Sequence, residues 1–178
     1  TMLGARYPST MHKAFLVNFI ALLVQDPDKK TLEEDITVMI SQAIIQSYDM
    51  MQDDAMPKPY IYGSAVHIDQ FLERYHNNKV FSTWWQVVDF LFEQQQYVLA
   101  KQAQTFAVPG IADLVQAIHH HSIYDVYKSV TTSSGETYPQ YFSRKISGVL
   151  QKFPHLALPT VVDFSDFRII SIDLAQIV

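Results

Sequence analysis

The chain has 178 residues, enough for one domain with a substantial core and too few for two comfortable domains. Hydrophobic residues make up 48% and charged residues 17%, a composition that excludes a disordered tail and leaves little charge to cover the surface. The net charge of −5 excludes a global basic field, so we expect no direct nucleic-acid binding, and the lack of cysteine excludes disulfides and thiolate metal sites.

No stretch of the sequence is long and apolar enough to predict a membrane span. The longest apolar run extends from Phe15 to Val24, and Asn18 interrupts it, whereas a bilayer requires roughly 20 mostly apolar residues. The first residues lack the basic start and apolar centre of a signal peptide. Because the chain starts without Met and ends on an apolar run, we expect a segment cut from a longer cytoplasmic protein.

The first two predicted helices differ in the spacing of their apolar residues. Ser9 or Thr10 can cap a helix that ends near Gln25. Its apolar residues occupy most of the circumference, which predicts a heavily buried helix. These residues are Phe15, Leu16, Phe19, Ile20, Leu22 and Leu23. The second helix follows the capping-box pattern Thr31-Leu-Glu-Glu34 and carries a single stripe at helical spacing. The stripe consists of Ile36, Met39, Ile40, Ala43, Ile44 and Ser47.

Four further helices and one turn are predicted downstream. They cover residues 64–76, 84–104, 111–118, a single turn over 122–127, and 139–153. Thr83 is the predicted cap of the longest helix, with Gln86 at the capping-box position, and Pro139 suits the first turn of the last one. Pro109-Gly110 predicts a break between the helix over 84–104 and the helix over 111–118.

The pattern changes after Pro154, where short β-branched runs predict strands over residues 159–164 and 168–173. The predicted fold is therefore mainly α, a bundle of about six helices with a short β element near the C-terminus. A strand pair at one end of a bundle would leave its edges unpaired. We therefore predict that residues 1–155 form a helical subdomain and residues 156–178 contribute strands to a parent sheet.

The sequence lacks the pattern of a nucleotide site. Such a site uses a glycine-rich loop, whose backbone N–H groups hold the phosphates, followed by a lysine. None of the five glycines precedes Lys-Ser or Lys-Thr. The strand ending at Asp173 superficially resembles one that ends in a magnesium-binding aspartate, but no glutamate follows, and a plain strand is favoured. We predict no catalytic residue, cofactor site or metal site in this chain.

Three other polar clusters contain residue types that can carry chemistry. His119-His-His121 suggests a metal, but consecutive helical residues point about 100° apart, so a helix end is the favoured interpretation. Asp49 and Asp53-Asp54 are possible paired acids, although a proline-bearing loop usually holds solvated acids. Ser133-Ser134 lacks the strand–turn–helix context of a nucleophile.

Four aromatic residues are the candidate partner contacts. Trp84 and Trp85 are adjacent, so in a helix one ring can enter the core while the other meets a partner, or both can be core. Tyr60 ends a polar, proline-bearing loop that starts at Gln52, and Tyr62 follows this loop. Stacking of these tyrosines on bases is disfavoured by the acidic total.

Several stretches in order resemble one family, the large cytosolic ATPases of type IV secretion and conjugation, of the DotO/IcmB type. The stretches are Leu3-Gly-Ala-Arg-Tyr-Pro8, Ala14-Phe-Leu-Val-Asn-Phe-Ile-Ala-Leu-Leu23, Thr83-Trp-Trp-Gln-Val-Val-Asp-Phe-Leu-Phe92, Phe106-Ala-Val-Pro109, Leu158-Pro-Thr160 and Phe167-Arg-Ile-Ile-Ser-Ile-Asp-Leu174. In that family the phosphate-binding loop precedes such a segment and the acidic hydrolysis motif follows it. The resemblance implies a helical insertion on a RecA-like motor domain, with both nucleotide motifs outside this chain.

The resemblance also implies a function and partners. The parent protein would bind ATP and magnesium and power transfer of protein or DNA substrates, as a homo-oligomer associated with the inner-membrane secretion complex. The segment itself would be inactive and would contact other ATPase subunits or inner-membrane components. A free-standing helical adaptor or chaperone of a secretion system is the alternative. A small helical enzyme is less favoured, because no acid, base, nucleophile and metal set converges.

Overall fold

The computed structural model describes residues 6–26, 33–52, 55–75 and 80–158, and these ranges are predominantly helical. They contain no sheet; their β contacts are two isolated antiparallel bridges, Pro59 with Thr83 and Thr131 with Thr137. The prediction of a mainly helical fold is confirmed. The two predicted strands lie outside the described residues, as does almost all of the predicted second domain.

The described residues form eight α-helices and one 3₁₀ helix. They are α1 (Thr10–Val24), α2 (Glu34–Met50), α3 (Val66–Tyr75), α4 (Trp84–Glu93), α5 (Tyr97–Ala107), α6 (Ile111–Ile118), α7 (His121–Tyr127), α8 (Tyr138–Lys152) and η1 (Pro154–Ala157). Eight helices replace the predicted six because the long helix over 84–104 is two helices, and the turn over 122–127 is helix α7.

The chain divides into two compact units. The first consists of Thr1–Pro8 and Ile45–Pro109, and the second of Ser9–Ile44 and Gly110–Val178. The core of the first unit lies where α4 packs on α5 and α3 lies beside α5. Its buried residues are Ile68, Leu72, Phe81, Trp84, Trp85, Val87, Val88, Phe90, Leu91, Ala100, Ala103 and Ala107. The three alanines of α5 have no exposed surface, and their small side chains let α4 approach closely.

The predicted continuous helix is wrong at residues 94–96, where the chain reverses. The Gln95 N–H donates to the Phe92 carbonyl at 3.0 Å, and the Gln96 N–H donates to the Leu91 carbonyl at 2.8 Å. This pair of bonds is a Schellman helix end, which requires a left-handed residue. Gln95 takes that role with φ of 58°. Glutamine is a good helix former, so the sequence contained no breaker at this point.

The second unit is organised around α8, which contacts α1, α6, α7 and η1. Phe142 and Ile146 of α8 have no exposed surface. The Tyr141 hydroxyl donates to the Val24 carbonyl at 2.7 Å, which fastens the end of α1 to α8. The Tyr138 hydroxyl donates to a Glu33 carboxylate oxygen at 2.7 Å. Pro139 lies in the first turn of α8, as predicted.

Two of the predicted helix starts have the expected caps. The Ser9 hydroxyl accepts from the His12 N–H at 3.3 Å, and the Thr83 hydroxyl accepts from the Gln86 N–H at 3.3 Å. In a capping box the Gln86 side chain accepts from the N–H of the cap residue, Thr83. Here it accepts instead from the N–H of the preceding residue, Ser82, at 2.8 Å. Thr31 and Leu32 of the other capping-box pattern lie outside the described residues.

The two apolar helices predicted first have opposite outcomes. The α2 stripe is confirmed as buried, because all six of its residues are at most 2% exposed. The prediction that α1 is heavily buried is wrong, because only Ile20 and Val24 of its 15 residues are buried. The reason is packing: α1 lies against α8 with one side, and apolar content alone does not supply a neighbour for the other side.

Candidate functional site

The outward side of α1 is an apolar surface that contacts solvent. Met11 is 80% exposed, Phe15 is 52% exposed and Leu22 is 54% exposed. Asn18 lies between Phe15 and Leu22 and is also exposed. The rings of Phe15 and Phe19 stack at a centroid distance of 6.1 Å, which extends the apolar surface along the helix. Large apolar side chains that share one exposed helix face are a candidate interaction surface.

The spacing of the exposed residues is that of a coiled-coil contact line. Met11, Phe15, Asn18 and Leu22 follow one another at intervals of 4, 3 and 4 residues. This alternation keeps residues on one line of the helix and is the spacing of core positions in paired helices. We call these four residues the α1 seam. The seam is therefore suited to receive a second helix, with Asn18 as its polar member.

The side of α1 opposite the seam packs within the second unit. Ile20 and Val24 are 2% and 0% exposed. Beyond the helix, Lys145 of α8 forms an ion pair with Asp26, and the Tyr141 hydroxyl bonds the last turn. Because these contacts hold α1 in place, its seam is presented as a preformed helix and a partner need not order it.

Trp84 and Trp85, two of the predicted contact residues, lie in the core of the first unit. Trp84 is 3% exposed; its ring stacks on Phe106 at 4.5 Å and meets the Tyr60 ring edge-to-face at 4.9 Å. Trp85 is 1% exposed and donates from Nε1 to the Met51 carbonyl at 2.9 Å. The structure therefore shows the alternative in which both rings are core, and neither ring has surface for a partner.

Tyr60 and Tyr62, the other two predicted contacts, lie in a loop that a buried carboxylate holds together. Asp69 is 4% exposed and accepts from the Tyr60 hydroxyl at 2.6 Å and from the Gly63 N–H at 2.9 Å. Gly63 has φ of 91°, a left-handed conformation that favours glycine. Tyr62 is 66% exposed and donates to Glu73. Tyr62 is thus the most exposed of the four predicted contact residues.

Neither tyrosine of this loop is prepared to act as a base or nucleophile. Burial raises the pKa of Tyr60, and its hydrogen bond to the Asp69 carboxylate raises it further. The hydrogen bond from Tyr62 to Glu73 raises the pKa of Tyr62. Both hydroxyls therefore stay protonated at neutral pH and serve as hydrogen-bond donors.

The histidine run lies at the junction of α6 and α7. His119 follows the last residue of α6, and its Nε2 lies 3.1 Å from the Ser143 hydroxyl of α8. His120 is the cap of α7, where its Nδ1 accepts from the Ser122 N–H at 3.4 Å. His121 is the first residue of α7. This placement agrees with the helix-end interpretation. Among the described residues, no group of three or more His, Asp or Glu side chains is arranged to hold a metal ion.

The remaining candidates are held by local contacts. Asp49 accepts from the Tyr7 hydroxyl at 2.8 Å, whereas Asp53 and Asp54 lie outside the described residues. Ser133-Ser134 lies in a turn closed by the Thr131–Thr137 bridge. The Gly110 N–H at the start of α6 donates to the Asp113 carboxylate at 2.7 Å, which places a negative charge where a phosphate would bind.

The α1 seam is the surface that sequence reasoning missed. Its 4-3-4 spacing is present in the sequence, but it does not stand out there, because apolar residues occupy most of the circumference of α1. Asn18 is a usable signal, because it is the one polar residue in the otherwise apolar run from Phe15 to Val24, and a polar residue favours the side that is not core. Reading that side as the exposed one would have predicted the seam.

Comparison with protein-family models, curated proteins and solved structures found no match for this chain. Within the described part of the chain, no helix is both long enough and apolar enough to cross a bilayer.

Proposed function

We propose that this chain is a protein-docking helical module that binds a partner helix along the α1 seam. The observation that carries the proposal is the exposure of Met11, Phe15 and Leu22 on one line of a helix whose other side is core. Such a line buries its apolar area only when another protein surface packs against it.

The broader context we propose is a helical subdomain of a type IV secretion or conjugation ATPase. Support comes from the ordered stretches that resemble that family and from the mainly helical fold. The parent protein would bind ATP and magnesium through motifs outside this chain, and would act at the inner-membrane secretion complex. The module would contribute contacts to ATPase subunits and no catalytic group.

The docking surface is tested by photo-crosslinking in the cells that produce the protein. A benzophenone amino acid replaces Phe15 in the full-length protein, and the matched control replaces the exposed Gln151 of α8. We expect an adduct with a secretion-system ATPase subunit or an inner-membrane component from position 15 only. Equal and negligible yields from the two positions would refute the proposal.

The broader context is tested on the source gene and by calorimetry. A phosphate-binding loop encoded upstream of Thr1 would support the ATPase subdomain, whereas a start codon immediately before Thr1 would favour the free-standing adaptor. Titration of the 178-residue chain with ATP and magnesium should give no binding heat. Tight magnesium-dependent binding would contradict a docking role without nucleotide chemistry.

A further inference from the structure

We propose that the helix received by the α1 seam is α1 of a second copy of this chain, paired in parallel with Asn18 facing Asn18. This inference rests on the proposed docking function and names its occupant. It requires that the seam be complementary to itself, that its flanks allow a second copy to approach, and that its size match the expected strength of pairing.

The position of Asn18 selects the occupant. A partner helix that is wholly apolar would bury the Asn18 amide without a hydrogen bond, at a cost of about 1–3 kcal/mol. A second copy in parallel places the two amides opposite each other, where the carbonyl of one can accept from the NH₂ group of the other. An antiparallel copy would instead oppose Asn18 to Phe15 and leave both amides unpaired.

The flanks of the seam place no like charges opposite each other. The residues beside the seam on its two sides are His12, Ala14, Phe19 and Ala21. None is acidic or permanently cationic, so the charge pairs that usually forbid self-pairing at these positions are absent from this stretch. The alanines on one side are small and Phe19 on the other is large, which lets the flanks of two parallel helices interdigitate.

The size of the seam sets the strength of pairing. Each copy offers four seam residues and their flanks, whereas a standard stable interface uses roughly 20–30 residues per partner. The preformed helix reduces the ordering cost, but the contact area remains small. Pairing is therefore weak in dilute solution and becomes populated where an assembly holds several copies together.

The absence of native cysteine allows a direct test of the geometry. Single variants Met11→Cys and Leu22→Cys keep Phe15 and Asn18, and both positions are exposed ends of the seam. A disulfide requires Cα atoms about 4.4–6.8 Å apart. In a parallel pair each cysteine meets its own equivalent. In an antiparallel pair position 11 meets position 22, while identical positions lie roughly 16 Å apart along the axis.

The full chain is oxidised mildly at equal concentrations, with Gln151→Cys as the matched exposed control. We expect Met11→Cys and Leu22→Cys each to form disulfide dimers at least tenfold faster than Gln151→Cys. Addition of Phe15→Glu to Met11→Cys should reduce the rate to that of the control, while circular dichroism shows an unchanged helical fold. Addition of Asn18→Leu should relax the orientation, so that mixed 11–22 disulfides appear.

Two results would overturn the inference: rates no faster than the control, or mixed 11–22 disulfides that dominate when Met11→Cys and Leu22→Cys chains are combined. If either occurs while the crosslinker at position 15 captures a different protein, the second copy is excluded and the docking function stands. If position 15 also captures nothing, the docking function fails as well.

Discussion

Helices α1 and α4 are both rich in large apolar residues, yet they are buried to very different extents. α4 buries six of its ten residues, whereas α1 buries two of its fifteen. Within the first unit α4 packs on α5, and the Tyr60 and Phe106 rings contact Trp84. Within the second unit α1 packs on α8 with one side. Neighbours, rather than apolar content, therefore determine which residues become core.

The distinction has a functional meaning. A helix whose apolar residues are all covered contributes stability to its own unit, and its substitution mainly affects folding. A helix with an uncovered apolar line can lose those side chains at little cost to folding, but at a large cost to association. Substitutions in the covered and uncovered parts of the molecule should therefore differ in their effects.

Removal of a buried ring from α4 should have the largest effect on folding. Trp85→Ala removes a side chain that is 1% exposed and its Nε1 bond to the Met51 carbonyl. We expect a loss of about 3–5 kcal/mol in the free energy of unfolding of the first unit. Urea denaturation followed by circular dichroism measures it. The control, Val98→Ala, changes a residue that is 73% exposed and should cost under about 0.5 kcal/mol. Equal losses of stability in Trp85→Ala and Val98→Ala would show that burial does not determine the cost of substitution in this unit.

Substitutions on the two sides of α1 should differ in the same way. Ile20→Ala removes a 2% exposed side chain, and we expect a loss of about 2–4 kcal/mol in the free energy of unfolding. Met11→Ala shortens a side chain that is 80% exposed and should change the free energy by less than about 0.5 kcal/mol. Urea unfolding of both variants gives the difference directly. A large loss for Met11→Ala would mean that the seam is part of the core.

The loop that covers Trp84 should depend on the Asp69 carboxylate. Asp69→Ala leaves the Tyr60 hydroxyl and the Gly63 N–H without their acceptor, which costs about 1–3 kcal/mol. We expect increased amide hydrogen exchange at Gly63 as well as lower stability. The exposed Glu93→Ala is the control for loss of a carboxylate in the same unit. Unchanged exchange at Gly63 in Asp69→Ala would show that the loop is held by other contacts.

The attachment of α1 to α8 should weaken at alkaline pH. Burial and the nearby Asp26 carboxylate raise the pKa of Tyr141 to about 12. Because the folded pKa lies above the ordinary value of about 10, the contribution to stability is complete below pH 10 and is lost as pH rises towards 12. Tyr141→Phe should cost about 1 kcal/mol at pH 8, from the lost bond to the Val24 carbonyl.

The free energies of unfolding of the native chain and of Tyr141→Phe should therefore converge as the pH rises above 10. Urea unfolding at several pH values measures this difference. Tyr124→Phe, on the exposed side of α7, is the matched control and should follow the native curve. A constant difference for Tyr141→Phe across this range would contradict a stabilising role of the protonated Tyr141 hydroxyl.

Much of the helical organisation was predictable, because it follows from local signals. The caps at Ser9 and Thr83 and the α2 stripe are patterns within one or two helical turns. The failures concern contacts between distant residues. Nothing local indicated that α8 would cover only one side of α1, or that Trp84 would lie under Tyr60 and Phe106. The resemblance to secretion ATPases remains a prediction, as do the strands over 159–173.

The smallest effect should come from the turn that folds α5 back onto α4. Gln95 lies at φ of 58°, where a residue with a Cβ is strained and glycine is not. Gln95→Gly should therefore stabilise the first unit by about 0.5–1 kcal/mol, despite the extra freedom that glycine gives the unfolded chain. The control is Gln94→Gly, since Gln94 has φ of −80° and glycine should destabilise there. Urea unfolding should give opposite signs for the two variants. If both variants were destabilising, the left-handed turn would not be what ends α4, and the packing of α5 on α4 would need another origin.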